Sequence, residues 1–280
     1  MQFKKLYITL ALFILFQSNY SFGQGWMPQG ARSAGISHAS VTMVDLFSYH
    51  HNPGALAFME NGGAAVSYEA RFLLRELQTQ SFIVASPVSN GMISFGGQFY
   101  GYESFRTNRV GGGYSLLLAD NLAAGLQMNY MSLRLDPFYG IKHAFSGELG
   151  MMAQMNDQID LGFSVFNIGR ARLSDFNDDR FATILRLGTG IKVMDELKLY
   201  TEISQEVTEQ TSLRFGVEYQ PNEVLYIRCG GQGGPVAFSF GTGVNLGQFR
   251  IDIATGYDQI LGWTPSAAFL WHFNAKPKDF

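Results

Sequence analysis

The sequence predicts an all-β protein: a 14-stranded antiparallel transmembrane β-barrel with an N-terminal plug segment. Three observations predict it. Apolar and polar residues alternate with period two through fourteen segments. The links between those segments are alternately tight and long. Only 15% of the 280 residues are charged, against about 25% in a soluble domain, so one face of these strands has little need of water.

The first element is a signal peptide over residues 1–23. Lys4 and Lys5 supply its positive start, Leu6 to Phe16 its apolar run, and Ser21 and Gly23 the small residues of a cleavage site. That run is shorter than the ~20 residues a spanning helix needs. No later stretch is long and apolar enough either, which excludes a helical membrane protein. Residues 24–61 are the expected plug. Gly30 to Phe58 lacks alternation and carries Asn52-Pro53-Gly54 and the adjacent His50 and His51. A barrel of about 8 strands is filled by its own side chains, so a wider one needs filling from elsewhere.

The barrel is expected over residues 62–273, followed by a periplasmic tail, 274–280. Its segments lie near 62–72, 77–87, 91–101, 105–118, 121–133, 142–155, 158–167, 181–193, 196–206, 211–220, 223–231, 235–246, 248–257 and 263–273. Leu213, Phe215, Val217 and Tyr219 alternate with Arg214, Gly216 and Glu218, and Phe249, Ile251 and Ile253 with Arg250, Asp252 and Ala254. Most segments are longer than the ~5–6 residues of a globular strand and match the ~9–11 of a membrane-spanning one. Tight links such as Ser89-Asn90, Asp120-Asn121 and Gly247-Gln248 follow the even-numbered segments, and the longest link, Ile168 to Arg180, follows an odd one. Short periplasmic turns and longer extracellular loops fit an outer-membrane barrel with both termini periplasmic. Closure follows from the solvent, because a sheet edge cannot be left unpaired in lipid. Ala267, Phe269, Trp271 and Phe273 give the last segment an aromatic-rich face. The competing architecture is a soluble exported β-sandwich acting as a binding protein, which would also alternate.

With the apolar face towards lipid, the other face lines the lumen. It carries Glu69, Arg71, Glu148, Arg186, Glu202, Arg214, Glu218, Arg228, Arg250 and Asp252. Opposite signs on neighbouring segments, Arg186 with Glu202 and Glu202 with Arg214, predict a cross-strand ladder of ion pairs that fills the barrel rather than an open pore.

Gly30-Ala31-Arg32-Ser33-Ala34-Gly35, then Asp45 and Phe47, then His51-Asn52-Pro53-Gly54-Ala55-Leu56-Ala57 resemble the N-terminal signature of PorV/PorQ-like outer-membrane barrels. These belong to the long-chain fatty-acid transporter-like superfamily. The matching plug-motif positions are Gly30, Arg32, Gly35, Asp45, His51, Asn52, Pro53, Gly54 and Leu56. The resemblance implies a non-enzymatic outer-membrane protein of a Gram-negative bacterium. It implies a component or scaffold of type IX protein secretion, with envelope or secretion-system proteins as partners. The alternative it implies is a transporter of small hydrophobic compounds, which would need an apolar site near the plug and a gapped wall strand.

Other chemistry finds no support. The 20 Lys+Arg are outnumbered by 23 Asp+Glu, so no nucleic-acid partner is expected. The single cysteine, Cys229, forms no internal disulfide and reads as a small apolar filler. His38, His50, His51, His143 and His272 have no spacing suited to a metal, and hydrogen bonding within the plug is the expected role of His50 and His51. Gly188-Thr189-Gly190 and Gly241-Thr242-Gly243 sit inside strands, out of context for a nucleotide loop, and no nucleophile elbow occurs. Neither cofactor nor metal is expected. The expected non-protein partners are the lipid bilayer and a hydrophobic small molecule.

Overall fold

A computed structural model describes residues 28–135, 140–172, 180–207, 211–234 and 236–273. The expected signal peptide, the tail at 274–280 and the acidic stretch around Asp175, Asp178 and Asp179 lie outside the described residues. The alternating segments form fourteen strands: β1 (Gly63–Ala70), β2 (Gln78–Val88), β3 (Gly91–Gly101), β4 (Phe105–Ala119), β5 (Leu122–Leu135), β6 (Ile141–Gln154), β7 (Ile159–Phe166), β8 (Ile184–Met194), β9 (Leu197–Glu206), β10 (Ser212–Tyr219), β11 (Leu225–Gly233), β12 (Ala237–Leu246), β13 (Phe249–Asp258) and β14 (Gly262–His272). Every strand pairs antiparallel with its sequence neighbours, and β1 pairs with β14 from Gly63↔His272 to Glu69↔Ser266, which closes the barrel. Closure corrects the sandwich alternative, because the large apolar residues do not meet between two sheets.

They face outward instead. Leu126, Met128 and Phe145 are 64%, 71% and 71% exposed, and Ile203, Phe215, Phe240 and Ile253 stand out from the wall in the same way. Cys229 is also exposed, on the outward parity of β11, so it fills no core. Among the described residues no helix is long and apolar enough to cross a membrane. Aromatics bracket the apolar band. Tyr257 and Trp263 meet at 4.8 Å near one rim, and Trp271 touches Phe249 and Phe273 near the other. From Trp263 to Trp271 along β14, a rise of about 3.4 Å per residue and a tilt near 40° put the two belts roughly 20 Å apart along the axis, close to the ~25 Å apolar band of outer-membrane barrels.

The strand ends fall within three residues of the sequence reading, and two of the differences have a visible cause. β1 stops at Ala70 rather than residue 72 because Phe72 and Leu73 turn into the left-handed region, at φ 55° and 58°. β8 begins at Ile184 rather than 181 because Phe181 and Ala182 are drawn inward, 2% and 6% exposed. Asn167, at φ 57°, directs that turn. Its amide donates to the carbonyls of Phe181 and Ala182, and its side-chain oxygen accepts from Ala171 N–H.

The wall is uneven at this point. The β6–β7 ladder ends at Glu148↔Phe166, while β6 continues up to Ile141 paired to β5 alone among the described residues. One further bond, from Ile168 N–H to Gly147 C=O, marks its edge. Among the described residues the result is a notch at the loop end of the barrel. Met131, Leu133, Phe166, Phe181, Ala182 and Ile184 form a buried apolar cluster on the lumenal side beside it.

Candidate functional site

The lumen holds the N-terminal segment. Its local conformation is set by side-chain caps. Asp45 accepts from Phe47 N–H, and Ser48 Oγ accepts in return from Asp45 N–H, which starts a 3₁₀ turn at Leu46–His50. Asn52 accepts from Gly54 N–H, and Pro53 opens a second such turn at Pro53–Phe58. A one-turn helix α1 (Ala31–Ala34) precedes both. His50 and His51 therefore lie at a turn end and not on a strand.

The segment follows the inner wall, and glycines on the wall let its backbone approach. A side chain on Gly216 of β10 would come within 2.5 Å of Ile36, one on Gly162 of β7 within 2.5 Å of Val41, one on Gly125 of β5 within 2.5 Å of Pro53, and one on Gly96 of β3 within 2.8 Å of the Tyr49 ring. Gly35 itself abuts Gly241 of β12. Tyr49 Oη donates to the carbonyls of Gly96 and Gly111 at 3.0 and 2.8 Å. Asn52 Nδ2 ties the segment to itself at Val41 C=O (2.8 Å) and to the wall at Met151 C=O (2.9 Å). Ser164 Oγ donates to His51 C=O. Gly30 takes φ 93° under the Phe47 ring, where a side chain would clash at 2.7 Å. Leu46, Phe47, Tyr49 and Leu56 pack on inward-facing Ala65, Ile83, Met92 and Leu270. Ala65, Ile83, Met92 and Leu270 thus form an apolar patch on the inner face, among the small and charged residues that the sequence reading placed there.

The charges divide into two networks. In the first, Arg32 grips Glu218 with two bonds (Nε 2.9 Å, Nη2 2.6 Å) and Asp45 with a third (3.1 Å). Arg228 donates to the same Glu218 (2.6 Å) and to Asp252 (2.7 Å), and Arg250 lies 2.9 Å from the other Asp252 oxygen. Three guanidiniums thus meet three carboxylates. Such balance compensates buried charge, and it provides no free charge to conduct an ion. In the second, Glu202 lies between Arg214 (3.3 Å) and Arg186 (3.9 Å), and its other oxygen accepts from Ser40 and Val41 N–H. Arg109 reaches Glu148 at 3.4 Å and His50 Nδ1 at 2.6 Å. Glu69 and Arg71 stand apart as their own 2.8 Å pair at the end of β1. Arg109 was not anticipated, although its parity with Thr107 and Ser115 on β4 marked it as inward. Arg32 was placed in the motif, and its bond to a strand 186 residues away had no local signal.

Burial opposes the charge on Arg32, but Glu218 and Asp45 outweigh it and raise the guanidinium above its ordinary range. Burial also acts on Asp45, and Arg32 overcomes it to hold that carboxyl below its ordinary value. Burial lowers His51 to about 4, and His50 likewise falls well below the imidazole norm through burial and then Arg109. A histidine kept neutral in the folded state stabilises it above the unfolded pKa near 6.5, and that stability is lost as pH falls towards 4. For His51 the loss is about 3 kcal/mol across that window. The Asp45 contribution lies lower, being lost only below its unfolded pKa near 3.9. The denaturant midpoint of the barrel in detergent should therefore drop between pH 6.5 and pH 4.5. His51→Gln, which keeps a donor for Gln29 C=O, should flatten part of that slope. An unchanged midpoint across the window would contradict this assignment.

The chain matches no protein-family model and no curated protein. Its fold is that of solved hydrophobic-compound channels. It superposes on the CymD monoaromatic hydrocarbon channel with TM-score 0.66 and 10% identity, covering 87% of this chain and 97% of that one. The Ralstonia pickettii toluene transporter TbuX gives 0.64 and 12% over 89% and 99%. A Pseudomonas aeruginosa FadL homologue gives 0.62 and 11% over 87% and 97%. None of these three is described as a secretion component, and at such identities the likeness is one of fold.

Proposed function

We propose that this chain is a non-enzymatic outer-membrane channel for small hydrophobic compounds in a Gram-negative bacterium. Both termini are periplasmic, and the N-terminal segment acts as its plug. The observation that carries the reading is the notch above Phe166, which borders the inward apolar cluster of β5, β7 and the turn that Asn167 pins. The balanced charges and the packed segment leave the axial route filled. An apolar solute has no reason to cross an ionic lumen, whereas a gap between wall strands offers it a path between the bilayer and an apolar interior. The channels that share the fold support this reading over a secretion role, which rests on the N-terminal motif alone.

Gly147 stands at the notch with open space around its side-chain position. Gly147→Trp should narrow the notch without disturbing the barrel. Cells exporting the parent chain should take up radiolabelled toluene or oleate faster than cells lacking it, and the Gly147→Trp chain should lose most of that gain. Equal uptake with and without the parent chain would overturn the proposal. If the purified barrel instead arrived bound to other envelope proteins, the secretion role would be favoured.

A further inference from the structure

The outward face of β2–β6 at the loop end departs from the rest of the wall. Arg106 on β4 and Arg134 on β5 are paired directly in register. Both are exposed, and both lie on the outward parity. Among the described residues neither guanidinium makes a hydrogen bond or an ion pair. Like charges placed opposite one another across a ladder repel. Cations on the outer wall of a membrane barrel carry a further cost unless they lie at headgroup depth. Among the described residues no carboxylate is paired with either guanidinium to offset these terms.

The surroundings supply the rest of a site. Gly101, opposite Arg106 on β3, has no side chain to cover it and lines one cleft with it. The next row towards the barrel middle is polar except for Phe99: Gln80, Phe99, Asn108, Ser132 and His143, with Asn108 donating to Ser132 at 3.1 Å and His143 hydrogen-bonded to Tyr130. The row beyond is Phe82, Val110, Tyr130 and Phe145. Two adjoining clefts of about 230 and 330 Å³ open here and share Phe99, Arg106 and Asn108. Charge, then neutral donors, then apolar and aromatic surface is the order in which a phospholipid-like molecule presents phosphate, headgroup and acyl chain.

We propose that this face binds the phosphorylated headgroup of an anionic membrane lipid in the leaflet at the loop end. Arg106 and Arg134 share the phosphate, Asn108 and Ser132 bond the headgroup, and an acyl chain lies against Phe99, Val110 and Tyr130. Guanidinium groups suit this task because their planar donor fork matches phosphate oxygens. The site rests on the proposed membrane setting and is independent of transport.

Native mass spectrometry of the detergent-solubilised barrel with diphosphoryl lipid A as probe tests it. The parent should retain the probe, and the doubly substituted Arg106→Gln, Arg134→Gln chain should bind it at least about tenfold more weakly. Arg134→Glu gives a second reading, since it creates an opposite-charge pair with Arg106. It should raise the melting temperature of the lipid-free barrel while abolishing probe retention. Retention unchanged by either variant overturns the site. Displacement of the probe by equimolar inorganic phosphate also overturns it, because the site would then be one for free anions. A barrel that fails to insert into vesicles overturns the membrane setting and this site together, and one that inserts but ignores lipid A overturns this site alone.

Discussion

Glu218→Ala should be the most destabilising single substitution in the lumen, at about 3–5 kcal/mol. Glu218 accepts two bonds from Arg32 and one from Arg228, and all three side chains are almost fully removed from solvent. Alanine leaves Arg32 with Asp45 and the Val44 carbonyl, and Arg228 with Asp252. Two cations then share too few anions in a medium that penalises unpaired charge. Urea unfolding of the refolded barrel, followed through the emission of Trp263 and Trp271, measures the loss. Glu218→Gln keeps the volume and one acceptor oxygen and should lose less. Because Glu218 and Asp252 both hold Arg228, the doubly substituted chain should fall short of the sum of the single losses. A Glu218→Ala barrel that unfolds at the parent's urea concentration would show that the network adds no net stability.

Gly54→Val should release the N-terminal segment while the wall stays closed. A Cβ at Gly54 lies 2.6 Å from the Gly150 carbonyl oxygen and 3.0 Å from Met151 N, so any side chain must push the Asn52–Gly54 turn off β6. The Asn52 bonds to Val41 and Met151 go with it. The strands keep their own ladder, so the barrel should still migrate as a compact, heat-modifiable species. Residues 28–58 should become open to protease, and single-channel recordings should show ion conductance several-fold above the parent's. Gly233→Val is the matched control, since no atom lies within 4 Å of its side-chain position. If Gly54→Val conducted no more than Gly233→Val, the segment would not be what closes the lumen.

The strands were legible because alternation is a local property. Parity alone separates Arg214, Gly216 and Glu218 from Phe215 and Val217, and the observed register then sets Arg214 against Glu202 and Glu218 against Arg228. Contacts that skip a strand were not legible. Arg228 on β11 reaches Asp252 on β13 across β12, and it can do so because Gly243 between them has no side chain, where a Cβ would meet Arg228 Nη1 at 3.0 Å. The wall glycines were readable as relief of crowding, but their occupant, the backbone of residues 35–54, lies far away in sequence. The inward turn at Asn167 and the notch it leaves depend on where a ladder stops, which period-two patterning does not encode. The paired arginines at 106 and 134 escaped notice for the same reason, since a like-charge pair exists only once the register is known.

The seam constrains how the molecule is assembled. Residues 28–58 lead directly into β1, and the barrel closes where β1 meets the last strand to be made. Arg32 finds its carboxylate on β10, and Ser37 bonds Ser239 on β12. This N-terminal segment thus waits for the latest strands before its polar groups are satisfied. A ring that closed first would have to admit a folded segment through an opening lined by its own ion pairs. The order that avoids this is for the sheet to curl around the segment as a mandrel and zip shut last, so that shutting the cylinder and filling it become one event.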